Sequence, residues 1–202
     1  MTKSGPGSPL CAVVAVTLIV MTAFGSAALA QQAPTLLLSW HGRIDWWIST
    51  PTGRHWGRLD LTFDSDSQGN LTGQMAGDDH VESQTASCRL TTQTPSKLSA
   101  NLVGQYTPGR NAMSLRVADP QIEQGQYGLN CASWASAASG VPFGGGGPLG
   151  QPGLAQLLSS LTVRADGSVE ATGEWPVTPA SPIPTTLHLK LTLRNLKLVP
   201  RG

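Results

Sequence analysis

Indoles are the most concentrated chemical resource of this chain. Of 6 Trp, set against 3 Phe and 2 Tyr, four fall between residues 40 and 56: Trp40, Trp46, Trp47 and Trp56. An exposed indole is a flat apolar surface with one N–H donor, suited to stacking on a sugar ring, an apolar ligand or a partner protein. Alternation along a strand puts Trp40 and Trp46 on one face and Trp47 on the other, so one core cannot hold them all without a bend or bulge. Trp46, Trp47 and Trp56 are therefore the candidate ligand-binding residues, and Trp40 and Trp175 the candidates for core filling.

Other chemistry is thinner. Asp64, Asp66 and Gln68 alternate ahead of Gly69, as oxygen ligands of calcium do, but Met75 stands where an EF-hand has its bidentate glutamate. Turn chemistry in a hairpin loop explains the same residues. The acidic run Asp78-Asp79-His80-Val81-Glu82 reads as a solvated loop. Gly145 to Gly150 matches GxGxxG in letters only, since no strand precedes it and Pro148 interrupts it. No Walker lysine, HExxH or GxSxG is present, and His41, His55, His80 and His188 have no motif partners. The expectation is a non-catalytic chain without a cofactor or metal, with a hydrolase lacking a recognisable motif as the alternative.

Residues 1 to 30 give an address. Lys3 precedes an apolar run from Leu10 to Phe24, and Ala28 and Ala30 supply small residues ahead of Gln31. That is the pattern of an export signal cleaved between Ala30 and Gln31. The alternative is a retained helix from Leu10 to Ala30, long enough to approach a bilayer span. Cys11 leaves with a cleaved signal, so Cys88 and Cys131 remain as an isolated pair that an oxidising compartment joins in a disulfide.

Charge excludes other classes. The chain has 13 basic and 12 acidic residues, and losing Lys3 balances them. The cations are scattered singly, so neither a nucleic-acid groove nor a basic membrane patch is expected.

The elements that must position these residues read as strands and turns. Leu59, Leu61 and Phe63 alternate with Asp60, Thr62 and Asp64, the pattern of a strand with one wet face. Leu187, Leu189, Leu191 and Leu193 alternate with His188, Lys190, Thr192 and Arg194. Further strands are expected at 35–49, 71–76, 88–92, 98–106 and 113–117. A hairpin of Leu161–Val163 with Val169–Trp175 is expected to turn at Asp166-Gly167. A Gly/Ala-rich loop covers 132–153, and a helical turn is expected at Gly153 to Ser160.

The sum is one all-β domain over 31–202, an antiparallel barrel of about eight to ten strands with a two-sheet sandwich as the alternative. The hairpin rhythm is similar to that of lipocalin-like and avidin-like barrels, and rhythm alone implies no function. The functional expectation is a secreted or periplasmic binding or assembly module for a ligand, glycan or envelope protein. The alternative is an accessory subunit of an envelope complex, at the membrane only through the retained helix.

Overall fold

The computed structural model describes residues 38–132, 138–143, 147–177 and 185–197, with the backbone alone for 138–143. The expected signal, the Ala30/Gln31 cleavage point, the alternative retained helix and Trp134 lie outside them.

Three long strands come first: β1 (Leu38–Thr50), β2 (Gly53–Ser65) and β3 (Asn70–Gln84). After them come β4 (Cys88–Thr94), β5 (Ser96–Thr107), β6 (Ala112–Glu123), β7 (Gly125–Cys131) and β8 (Ala138–Phe143). A helix, α1 (Pro152–Ser159), precedes β9 (Leu161–Thr162), β10 (Ser168–Pro176) and β11 (Thr186–Lys197). Eight of these strands, in the order β10-β11-β1-β2-β3-β5-β6-β9, form a nearly closed antiparallel barrel. The fold is thus the barrel and not the sandwich. Closure comes from β1 pairing with β11 along Leu38↔Lys197 to Ser49↔Thr186.

Inward positions follow the period of two. Trp40, Ile44, Trp46 and Ile48 of β1, Leu59, Leu61 and Phe63 of β2, and Leu187 to Leu193 at odd positions of β11 are all buried. Each such side chain contributes about 1.5–3 kcal/mol of burial free energy. Trp40 anchors one end, stacked on Phe63 at 6.1 Å and edge-on to Tyr106 at 5.6 Å.

The barrel has one unsealed seam. β9 pairs with β6 only at Ala112↔Thr162 and Met113↔Leu161, while β10 pairs with β11. The expected hairpin between 161–163 and 169–175 is therefore corrected: the turn forms, with Gly167 at φ +77, but its two arms join different neighbours. α1 covers the gap, burying Leu154, Leu157 and Leu158. Pro152 suits the first helical turn, where its missing N–H has no intrahelical partner to lose.

Two other expectations change. The acidic run 78–82 is strand, not loop, because β3 continues to Gln84 and changes partner from β5 to β4. Val81 sits at that change, and the Thr92 hydroxyl accepts from its N–H at 2.7 Å and donates to its carbonyl at 2.9 Å. The Gly/Ala-rich segment 132–153 is also not one loop: β8 pairs with β7, and Gly147 and Pro148 are buried.

β4, β7 and β8 form an annex beside the barrel, pinned by the Cys88–Cys131 disulfide between directly opposed residues. The sequence separation is 43, for which chain entropy alone gives about 4 kcal/mol of stabilisation. Such bonds persist in oxidising, extracytoplasmic compartments.

Candidate functional site

The outer wall of β1, β2 and β3 carries a row of directly opposed side chains. Glu174 of β10 faces His188 of β11, His188 faces Trp47, Trp47 faces Trp56, and Trp56 faces His80. The rings stack within this row. Trp47 lies 5.0 Å from His188 with an interplanar angle of 3°, and Trp56 lies 5.5 Å from His80 at 15°. The Arg54 guanidinium sits 4.3 Å above the Trp56 ring, a cation–π contact. Glu174 holds His188 Nδ1 at 3.1 Å, and Asp78 lies 3.4 Å from His80 Nε2.

The next outward row alternates in charge around the barrel: Lys190, Asp45, Arg58, Asp78, Lys97 and Glu123 stand directly opposite one another on six strands. Opposite charges on directly facing positions attract, which supports register across the wall. An apolar interior with a charged exterior is the inverse of a membrane-spanning barrel, whose outer band is apolar. Among the described residues, no helix is long and apolar enough to cross a membrane.

Between these rows is a shallow depression of about 750 Å³, walled by Trp47, Ser49, Arg54, Trp56, Arg58 and Asp78 among others. Trp47 is 40% exposed, and Trp56 is partly buried. Two of the three expected indoles therefore meet on one surface. Trp46 is the correction: it is 1% exposed, because its even position points into the barrel. Its indole packs over Gly57, where a Cβ would lie 2.9 Å from Trp46 Cζ2, and against Gly147, where the distance would be 2.7 Å.

Behind the outer row sits a polar set that motif reading missed. His55 Nε2 pairs with Asp79 Oδ1, the Asp79 side chain is wholly buried, and the His55 ring meets Trp46 edge-on at 5.1 Å. Asp79 Oδ2 and Trp46 Nε1 are buried and make no hydrogen bond among the described residues. The Ser96 hydroxyl, on the strand position facing Asp79, accepts from the Gly125 N–H at 3.1 Å. A carboxylate holding an imidazole orients the ring, and here the oriented ring braces Trp46. Parity could have found it: Asp79 shares the inward face with Leu71 and Met75 once β3 is read as continuous.

The calcium candidates divide. Asp66 Oδ1 accepts from the backbone N–H of Gln68 at 2.8 Å and of Asn70 at 2.9 Å, and Oδ2 from the Asn70 amide at 2.8 Å. These bonds, the Asn70 side-chain amide first, hold the Asp66 carboxyl below the ordinary aspartate range. Gly69 adopts φ +81, a conformation that favours glycine. Asp66 thus spends its oxygens on the turn, while Asp64 belongs to β2 and Gln68 accepts from Asn70 Nδ2 at 3.4 Å. Among the described residues, no group of three His, Cys, Asp or Glu is arranged to hold a metal ion.

No protein-family model, curated protein or solved structure matches this chain.

Proposed function

We infer that the chain is an exported, non-catalytic binding or assembly module whose contact surface is the outer wall at Trp47 and Trp56. One observation carries this reading. A large indole, Trp47, remains 40% exposed between the polar outward positions Asp45 and Ser49 of its own strand, and His188 holds it in a fixed orientation from one side. An aromatic that serves only the core is turned inward, as Trp46 is. A pre-set aromatic surface loses little conformational entropy on contact, which is why such residues dominate binding energetics.

Two further facts support export. The disulfide belongs to oxidising compartments, and residues 1 to 30 carry the signal pattern.

Immobilised wild type, Trp47→Ala and Trp56→Ala are compared for retention of polysaccharides and of defined envelope proteins. Retention by wild type that falls in Trp47→Ala supports the reading. Identical retention by all three proteins removes this surface from the function.

A further inference from the structure

Resting on the binding-module reading, this inference adds the chemistry of the occupant. We propose that the depression between β1 and β2 binds a neutral saccharide, with a pyranose ring laid on the open face of Trp47 and its hydroxyls on the Asp45–Arg58 pair.

An indole has two faces. His188 covers one of those of Trp47, at 5.0 Å and 3°, and His188 is not among the walls of the depression. The face that Trp47 offers to the depression is therefore the one turned towards β2. Trp56 has a different part: His80 stacks on it and Arg54 lies over it, so it buttresses the far wall and fixes the guanidinium above it.

The polar floor selects the class of ligand. Arg58 Nε lies 3.2 Å from Asp45 Oδ1, and Arg43 Nε lies 3.2 Å from Asp45 Oδ2. Both partners stay accessible, with side chains 55% and 33% exposed for Arg58 and Asp45. A vicinal diol presents donor and acceptor together, one hydroxyl donating to the carboxylate and the other accepting from the guanidinium. Charge-assisted hydrogen bonds of this kind are the stronger ones. The apolar C–H face of the same ring suits an indole.

Charged occupants fit less well. An anion would lie beside the carboxylates of Asp45, Asp60 and Asp78, all of which border the depression. A cation would meet an Asp45 carboxylate already paired with Arg43 and Arg58, an Asp78 carboxylate beside His80, and a single open ring face where aromatic cages use several. A neutral polyol needs donors and acceptors in equal supply, and the alternating row provides them.

The test is calorimetric titration with soluble hexasaccharides of β-1,4-glucose, α-1,4-glucose, β-1,4-mannose and β-1,4-N-acetylglucosamine, with hexagalacturonate as the anionic comparator. The expected result is saturable binding of at least one neutral hexasaccharide. Trp47→Ala should weaken it roughly tenfold or more, Trp47→Tyr should retain most of it, Asp45→Asn should weaken it, and Arg194→Ala, on the outer face of β11 but outside the depression, should leave it unchanged. Near-ultraviolet dichroism confirms that each variant is folded. Binding of hexagalacturonate alone, of no hexasaccharide, or of a neutral one with equal strength to Trp47→Ala overturns the proposal. If no saccharide binds but a defined envelope protein is retained in a Trp47-dependent way, the saccharide inference fails and the module reading stands. If nothing depends on Trp47, both fail.

Discussion

The two faces of β1, β2 and β3 carry the same kinds of side chain in adjacent positions and use them in opposite ways. Inside, Trp46 and Asp79 are buried, and His55 joins them, paired with Asp79 and edge-on to Trp46. Outside, one residue further along each strand, Trp47, Trp56 and His80 share a row at the surface, with Trp47 stacked on His188 of β11 and Trp56 on His80. The inner indole fills space against Gly57 and Gly147; the outer one keeps 40% of its surface in water. A single-layer wall therefore couples core and surface: whatever fixes the inner three also fixes the backbone that displays the outer three.

The largest expected contrast is between neighbouring indoles. Trp46→Ala should cost about 3–5 kcal/mol of unfolding free energy, because it empties a packed volume. Trp47→Ala should stay within about 1 kcal/mol, as surface changes usually do. Equilibrium denaturant curves for both variants check this, and equal losses would dissolve the distinction between the faces.

A middle-sized effect belongs to the bridge. Asp79→Ala removes the carboxyl that holds His55, with an expected loss of about 1–3 kcal/mol. The same substitution should loosen the outer row, read as increased quenching of tryptophan emission by acrylamide. Unchanged quenching would mean that the wall does not transmit the inner contact.

The smallest effect lies outside the wall, at the loop joining β2 to β3. Its carboxyl at Asp66 is held low by bonds present only in the fold. It therefore contributes stability above the unfolded aspartate value, about pH 4, and loses it as pH falls through the lower folded value. Asp66→Asn should be less stable than wild type at neutral pH, with the gap closing in acid. A series of thermal midpoints from pH 7 to pH 2 measures it; a gap that widens in acid would contradict the sign.

Legibility tracked periodicity. Leu59, Leu61 and Phe63, and the four alternating leucines of β11, announced half-buried strands, and Cys88 and Cys131 announced their bond because no other partner remained once Cys11 was assigned to the signal. The hairpin at Asp166-Gly167 misled, since a turn's residues fix its bend and not what its arms pair with. The run at 78–82 misled in the other direction. Four polar residues around Val81 suggested solvent, yet Asp79 is buried because β3 runs on through this stretch, pairing with β5 as far as Asp79 and then taking β4 as a neighbour. Of the three candidate indoles, parity separated Trp46 from Trp47, but the sequence could not say which face was wet.

By itself, the sequence determined the all-β class, the antiparallel barrel rhythm, the disulfide and the concentration of indoles near the start of the barrel. All are local or pairwise facts, set by the period of two, by turn residues and by counting thiols. The tertiary structure alone decided that β11 closes on β1, that α1 covers the seam, and that Trp47, Trp56, His80 and His188 share one row. Those depend on register between strands far apart in the chain, which packing of the whole interior sets and no short stretch of residues encodes.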